Sequence, residues 1–426
     1  METSPGTRGW LAAAIGGLLL VTGAGGAGTV PLAAAESASA PVLRPGATSK
    51  ARLQSLPVNT WIRYPGVSIK VNSAPPPVPG SGQVAWCYDS NARRFVHIGG
   101  TTDACSDEIW TYNLDGQNWC GEIRPTTAGE KPSADHPGRG GNRGLCYDPD
   151  NKCMWLWGGA AAGPLDGTRG LWRASGGYAP ANWKHFEQPR DAEQAMIACD
   201  RGAKRLVMVS GAWINPRAGT TRVVLVDPKT AAVETVTPAA PADSPLPAAA
   251  RGKADGSWGR GGDCSPLVYV PELKGVLYLG SFPSSGAEAA KDREAAMVTW
   301  LFDCGTKAWK DLRPAGSPPW REGHAASYDS KNGVVLVCGG CDAGRRRLSE
   351  TWVYLPRENR WADMKPKGVP EGGFEAVDGP MLPAYDEERD LHIFGLPMSR
   401  GRGTMWVYRF GNPPAAEAPK ETPAGK

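Results

Sequence analysis

Residues 324–340 read HAASYDSKNGVVLVCGG, and the same order of residue types recurs along the chain. An aromatic residue and an aspartate precede a short polar turn, and an apolar run then ends in two glycines. A tryptophan in a short apolar run follows at 350–355 (ETWVYL), and another at 358–361 (ENRW). Apolar runs of period two on both sides of a polar turn predict a hairpin, and the tryptophan segments predict two more strands. The stretch therefore predicts a unit of four antiparallel strands.

Five further copies of this unit occur. The first (85–119) contains AWCYDSNARRFVHIGG, and the second (144–183) and sixth (383–410) follow the same order. Copies three (197–226) and four (267–309) are weaker, because copy three has valine at the first tryptophan position and copy four lacks the second glycine. Six copies of a four-stranded unit predict a repeat architecture of about 24 strands.

The copies are expected to stack around an axis and to close into a ring. A four-stranded unit cannot bury both of its faces alone, and radial stacking into a propeller buries them with only short edges exposed. The sixth copy stops after TMWVYRF (404–410), without a last strand, whereas VNTWIRY (58–64) matches the ending of the other copies. We therefore predict that residues 58–64, with Trp61, supply the outer strand of the last unit.

The glycine pair, the Tyr-Asp step and the spaced tryptophans resemble those of the kelch-repeat β-propellers, which share a fold with the propeller domain of galactose oxidase. The resemblance covers residues 57–411 and implies an all-β, six-bladed propeller with four antiparallel strands per blade. It does not select a function, because kelch propellers include protein-interaction modules, glycan-linked proteins and enzymes. The repeated tryptophans are expected to fill the space between blades: Trp110, Trp119, Trp352 and Trp361.

The N-terminal sequence predicts an exported protein. A short apolar run (10–21) follows a basic residue, and alanines at 33–35 offer a small-residue cleavage site. Residues 1–35 are therefore predicted to be a secretory signal peptide, with an uncleaved anchor as the alternative. Residues 36–56 are predicted to be a linker, and residues 412–426 a disordered tail rich in Pro, Ala and Lys. The expected location is secreted or periplasmic.

Charge and cysteine content narrow the class of protein. A net charge of +4 over 45.1 kDa is too small for a general nucleic-acid binder. The ten cysteines are an even number, which in an exported chain predicts disulfides, although their pairing cannot be read from sequence. Cys338 and Cys341 have CxxC spacing and are expected to form either a local disulfide or two separate bridges.

Arginines and tryptophans occur in the loops that lead into or out of the inner hairpins, and in a kelch propeller these loops open around one end of the central channel. A planar guanidinium suits a carboxylate, sulfate or phosphate, and an aromatic face suits a sugar ring. The alternatives are ion pairs with Glu193, Glu322, Glu375 or Asp378 for the arginines, and capping of the channel for the tryptophans. The candidate binding residues are Arg139, Arg143, Arg190, Arg260, Arg321, Trp213, Trp258 and Trp320.

The leading functional prediction is a monomeric, non-catalytic module that binds an acidic glycan or a protein partner, and neither nucleic acid nor membrane. The alternative is a carbohydrate-active enzyme that resembles the kelch-type sialic acid mutarotases, with Glu322 and His324 as weak catalytic candidates. A copper oxidase similar to galactose oxidase is disfavoured, because the chain has five histidines and no metal motif. Two of these, His97 and His392, lie in apolar strands and are predicted to be structural. No metal or cofactor is expected.

Overall fold

The computed structural model describes the parts of the chain that form strands, turns and their immediate connections. The described residues are 53–64, 85–98, 108–114, 118–123, 137, 143–158, 170–187, 195–210, 214–215, 220–238, 265–280, 296–321, 323–342, 346–369, 374, 382–396 and 404–413. They all belong to one compact unit, Ser39–Lys426. Within them no helix is long and apolar enough to cross a membrane.

Within the described residues, six antiparallel sheets of four strands form the blades of a propeller. Blade 1 consists of β2 (Ala85–Asp89), β3 (Arg94–Ile98), β4 (Ile109–Asn113) and β5 (Asn118–Ile123), and blade 2 of β6 (Gly144–Asp148), β7 (Cys153–Trp157), β8 (Leu171–Ser175) and β9 (Trp183–Phe186). Blade 3 consists of β10 (Ala195–Asp200), β11 (Arg205–Ser210), β14 (Val223–Val226) and β15 (Val233–Val236), with a separate hairpin of β12 (Ile214–Asn215) and β13 (Thr220–Thr221).

The second half of the chain completes the ring, and the strands of each blade run from the innermost to the outermost. Blade 4 consists of β16 (Leu267–Val270), β17 (Gly275–Gly280), β18 (Val298–Asp303) and β19 (Ala308–Asp311), and blade 5 of β20 (Ala325–Asp329), β21 (Val334–Cys338), β22 (Thr351–Leu355) and β23 (Arg360–Asp363). Blade 6 consists of β24 (Leu382–Asp386), β25 (Leu391–Leu396), β26 (Thr404–Tyr408) and the N-terminal strand β1 (Trp61–Tyr64). Among the described residues, two short 3-10 turns, Pro180–Asn182 and Pro271–Leu273, connect strands.

The ring closes through the N-terminal strand, as the sequence predicts. Strand β1 pairs antiparallel with β26, with Trp61 opposite Tyr408. Trp61 is fully buried, its ring lies edge-on to Phe374 and Phe394 at 4.8 and 4.9 Å, and its Nε1–H donates to Thr351 Oγ1 at 2.8 Å. Because the first and last parts of the chain share one sheet, separating them would expose this core.

Each interface between successive blades holds one cluster of buried apolar side chains, including the interface between blades 6 and 1. The tryptophans of the repeat contribute to these clusters: Trp300 and Trp309 between blades 3 and 4, and Trp361 between blades 4 and 5. Trp352 is half-buried against the same cluster as Trp361. Burial of these large aromatic side chains between the sheets stabilises the propeller, because each side chain removes much apolar surface from water.

In blade 5, the backbone conformation explains why glycines occupy the repeated Gly-Gly step. Gly339 and Gly340 follow β21 with φ values of 62° and 84°, in the left-handed region that side chains disfavour. The chain can therefore turn sharply there.

The structure corrects two sequence interpretations. The Pro- and Ala-rich stretch 231–255 predicts a flexible excursion between blades 3 and 4, either a tolerated insertion or a lid, but Val233–Val236 within it is the outer strand of blade 3 and pairs with β14. Residues 239–255 lie outside the described residues. Its side chains are largely exposed, so it lacks the apolar alternation that marks the other strands. The eight cysteines among the described residues are free, so the bridge expected from Cys338 and Cys341 is not formed. Cys338 faces the core between blades 5 and 6, while Cys341 follows the glycine turn.

Part of the segment predicted to be a linker, residues 36–56, packs against the propeller. Leu53 is fully buried in the cluster between blades 6 and 1. The Arg409 guanidinium donates to the carbonyl oxygens of Leu53, Gln54 and Leu56, which ties this segment to the end of the last blade.

Candidate functional site

The central channel holds a cavity of about 400 Å³ lined by the innermost strands of all six blades. These strands all begin after a loop from the preceding blade and end in a hairpin turn, so the channel has two chemically distinct ends. We call the end where the strands begin the loop end, and the other the turn end.

The turn end carries an aromatic residue followed by an aspartate in most blades. In blade 3 a cysteine replaces the aromatic residue, and in blade 4 a valine replaces the aspartate. The lining residues here are Tyr88, Tyr147, Cys199, Tyr269, Tyr328 and Tyr385, and the residues after them are Asp89, Asp148, Asp200, Val270, Asp329 and Asp386. Each aspartate accepts a hydrogen bond from at least one backbone amide of its own turn. The aspartates therefore set the shape of the hairpin turns.

Hydroxyl groups at the turn end link neighbouring blades. Tyr328 donates to both oxygens of Glu272 in the turn of blade 4, at 3.0 and 2.9 Å. Tyr178, which follows β8 of blade 2, donates to Asp89 of blade 1 at 2.5 Å. Burial, together with Asp89, raises the pKa of Tyr178 well above its usual value. These hydroxyls therefore stay protonated and act as donors that join blade to blade.

The loop end carries residues that do not repeat from blade to blade. Arg143 stands immediately before β6, Ser265 two residues before β16, and His324 immediately before β20. All three line the cavity and all three are buried. The loop end thus combines a permanent positive charge, a hydroxyl and an imidazole.

His324 is held as a neutral hydrogen-bond acceptor. Its Nε2 lies 3.0 Å from the carbonyl oxygen of Leu279, so the proton is on Nε2 and the Nδ1 lone pair accepts no hydrogen bond from the described residues. Burial, with the positive charge of Arg321 adding to it, lowers the pKa of His324 to about 3. The imidazole is therefore neutral at any physiological pH.

Arg321 has a different position from the one the sequence suggests. It is fully buried and does not line the cavity; its guanidinium donates to Pro319 O and Gly339 O at 3.2 and 3.3 Å and lies 3.6 Å from Glu350. Trp320 is also buried and is not part of the cavity wall. In the geometry observed here, Arg321 supports the glycine turn of blade 5.

The remaining predicted site residues lie outside the described residues, and their binding roles stay predictions: Arg139, Arg190, Arg260, Trp213, Trp258 and Glu322. Arg143 and His324 are the predicted residues that the structure brings together on the cavity wall. Among the described residues, no group of three or more His, Cys, Asp or Glu side chains has the arrangement of a metal site.

The tyrosines of the turn end are not among the functional residues that the sequence predicts. Their signal was the aromatic residue before the aspartate in each copy, which was used to find the repeat. That the hydroxyls join neighbouring blades follows only from the stacking of one blade on the next.

A family-model match supports the repeat. The Kelch motif matches residues 324–368, which contain blade 5. Mei4-dependent protein 6 of Schizosaccharomyces pombe is 25% identical over 143 residues, or 31% of this chain, and the match spans 20% of the length of that relative. The solved structure titled "Structure of YjhT" is similar with a TM-score of 0.46 and 10% identity, over 77% of this chain and 94% of that chain. The motif match and the recurrence of one four-stranded unit in six blades show that the chain is a kelch-repeat β-propeller.

Proposed function

We propose that this propeller is an exported binding module that holds an acidic glycan at the loop end of its channel. The observation that carries the proposal is the position of Arg143, a buried guanidinium on the wall of a cavity of about 400 Å³ that His324 also lines. Cavities of roughly 300 to 1,000 Å³ are typical of small-ligand sites, and one sugar unit fits the lower part of that range.

The polar groups of the loop end match the two kinds of group on an acidic sugar. The positive charge of Arg143 acts in a surrounding of low dielectric, where its attraction for a carboxylate or sulfate is much stronger than in water. The Nδ1 atom of neutral His324 can accept a hydrogen bond from a sugar hydroxyl. An anion alone would use only the first of these groups.

The described surface favours a glycan over a protein partner that docks through apolar contacts. Among the described residues, the large hydrophobic side chains that are exposed are Val58 and Val233, one on each of two separate segments. Protein interfaces with a strong apolar core need a contiguous patch. Polar recognition inside the channel is therefore the better account of this part of the molecule.

The export part of the proposal rests on the sequence of residues 1–35. Free thiols in an oxidising compartment need protection, because the thiolate is the reactive form. Burial raises the pKa of Cys87 to about 12 and that of Cys146 and Cys338 well above the usual value. These thiols are compatible with export.

The experiment is a titration of the mature protein with sialic acid, glucuronic acid and neutral galactose, followed by calorimetry. We expect saturable binding of an acidic sugar that falls at least tenfold in Arg143→Ala. The matched control is Arg357→Ala, because Arg357 is 82% exposed in an outer turn. If no anionic sugar binds, the glycan proposal is wrong and a protein-interaction scaffold replaces it.

The pH dependence of binding tests the role of His324. With a pKa of about 3, the imidazole keeps its neutral acceptor at every pH from 8 down to 5, so wild-type affinity for a fully ionised sugar should change less than about twofold. His324→Leu should weaken binding throughout this range. A wild-type affinity that rises or falls strongly near pH 6.5 would show that His324 titrates and contradict the acceptor role.

A further inference from the structure

A serine, a histidine and an aspartate form a row across the interface between blades 5 and 6. Ser327 Oγ lies 2.7 Å from His392 Nδ1, and His392 Nε2 lies 3.4 Å from Asp329 Oδ2. Ser327 is 7% exposed, and the other two are fully buried. The three groups are therefore within reach of proton transfer from serine to imidazole.

The aspartate is held as a carboxylate and favours one tautomer of the histidine. Asp329 accepts the backbone amides of Lys331 and Asn332 on one oxygen and the Asn332 side-chain amide on the other. Burial alone would raise the pKa of Asp329, but contacts from His392 and Asn332 outweigh it and lower that pKa. The 3.4 Å contact between His392 Nε2 and Asp329 Oδ2 is not a hydrogen bond, but a carboxylate at this distance favours the proton on Nε2, which leaves the Nδ1 lone pair facing the Ser327 hydroxyl.

The row departs from the repeat at two of its three positions. The aspartate recurs in five blades, whereas the position of His392, opposite the channel tyrosine in the strand register, is apolar elsewhere: Phe95, Met154, Leu206, Val276 and Val335. The position of Ser327 holds Cys87, Cys146, Ala198, Val268 and Ala384 in the other blades. The fold therefore needs the aspartate but neither the histidine nor the serine.

The serine is also part of the wall of a space that a substrate can enter. Ser327 is part of the wall of the channel cavity, and His392 and Asp329 lie behind it, outside that wall. The ring of Tyr385, another wall residue, lies 4.9 Å from the His392 ring and limits its rotation. A nucleophile at the wall with its base and carboxylate behind is the arrangement of serine acyl transfer.

We propose that Ser327 is the nucleophile of an acyl-transfer site that hydrolyses a small ester bound in the channel. His392 is the general base and Asp329 a positioning residue. The proposal goes beyond glycan binding and does not depend on it.

The steps balance with water as the co-reactant. Ser327 Oγ attacks the ester carbonyl carbon, and its proton passes to His392 Nδ1. The tetrahedral intermediate breaks its bond to the alcohol oxygen, and the alcohol leaves with the proton from Nδ1. Water then attacks the acyl-serine, gives its proton to Nδ1, and releases the carboxylic acid as the serine oxygen recovers a proton.

The test is labelling of the full chain with a fluorophosphonate probe, read by intact mass and peptide mapping. We expect one label per chain, on Ser327, and none in Ser327→Ala. Alanine occurs at this position in blades 3 and 6, so this variant is expected to fold. The matched control is Ser330→Ala, because Ser330 also lines the cavity and forms no hydrogen bond with any of the described histidines. An unlabelled wild type, or labelling at Ser330, would overturn the proposal.

Two variants test the partners of the serine. His392→Phe copies blade 1 and should slow labelling at least tenfold; an unchanged rate in a folded variant would show that Ser327 has no base. Asp329→Asn should move the midpoint of the labelling rate against pH, whereas Asp148→Asn should not, although Asp148 makes the same set of turn hydrogen bonds. An equal effect of both changes would mean that Asp329 only stabilises its hairpin turn, which would contradict its positioning role.

Discussion

The two ends of the channel are built from the same six strands, but residues recur from blade to blade at one end and not at the other. At the turn end, the tyrosine and aspartate positions recur from blade to blade, and hydrogen bonds join several of them to a neighbouring blade or to their own turn, as for Tyr328 and Asp386. At the loop end, Arg143, Ser265 and His324 each occur once. Repetition at one end indicates a requirement of the architecture, because every blade must meet its neighbour in the same way. Side chains that occur once are not required by the contact between blades, which is why we assign ligand binding to this end.

The comparison predicts that changes at the turn end reduce stability and leave ligand binding at the loop end intact. The largest effect is expected for Asp386→Ala. Asp386 and the Arg389 side chain are both buried, and Asp386 Oδ2 accepts from the guanidinium at 2.6 Å. Removing the carboxylate deprives a buried charge of this partner and should cost about 3 kcal/mol of unfolding free energy, measured by urea denaturation.

The control for this change is Asp303→Ala in an outer turn of blade 4. Asp303 accepts the backbone amides of Gly305 and Thr306 but ion-pairs with no arginine among the described residues. Its loss should cost about 1 kcal/mol. Equal costs for the two aspartates would show that the turn, and not the buried ion pair, stabilises the channel end.

A smaller effect is expected for Tyr178→Phe, which removes one hydroxyl that donates to a carboxylate of the neighbouring blade. Hydrogen bonds to charged groups contribute about 2 kcal/mol, and those between neutral groups about 1 kcal/mol. The matched change is Tyr354→Phe, whose hydroxyl donates to the neutral Asn359 Oδ1 at 2.8 Å within one blade. Thermal and urea unfolding should rank Tyr178→Phe as the more destabilising of the two. The reverse ranking would remove the basis for treating this hydroxyl as a link between blades.

The smallest effect is expected for Lys331→Ala, at the same end but on the surface. Lys331 Nζ lies 2.7 Å from Asp390, with 60% of the lysine side chain exposed. Exposed pairs contribute about 0.5 kcal/mol or less and weaken with salt. Unfolding in 0.1 and 1 M salt should show the wild type and the variant converging. A cost above about 1 kcal/mol would mean that surface ion pairs, and not only buried groups, join the blades.

The propeller was predictable because its evidence is local and repeated. The apolar alternation, the polar turn and the glycine pair each span a few residues, and six copies reinforce one another even where copies three and four are weak. The closing strand followed from the missing end of copy six, and Trp61 indeed pairs with the last strand of the chain. Strand β15 was overlooked because its exposed VETV residues carry no apolar pattern.

The site was only partly predictable. Arg143 and Arg321 look alike in sequence, each shortly before an innermost strand, yet one lines the cavity and the other binds the carbonyl oxygens of Pro319 and Gly339. Arg143 lies one residue before its strand and Arg321 four residues before its own, and this difference changes where such a long side chain points. Ser327 and His392 are 65 residues apart, and no short motif connects them.

The amino-acid sequence alone determined the four-stranded blade, the number of blades and the closure of the ring. The alternation of apolar and polar residues along each strand shows which face that strand buries. The tertiary structure decided which polar side chains meet: Tyr178 with Asp89, Arg321 with the glycine turn, and Ser327 with His392. These contacts depend on the register between neighbouring blades, and apolar patterns are insensitive to that register because any apolar side chain can pack against any other. Polar groups need a partner at hydrogen-bond distance and in the right direction, so their pairing exists only in the assembled ring.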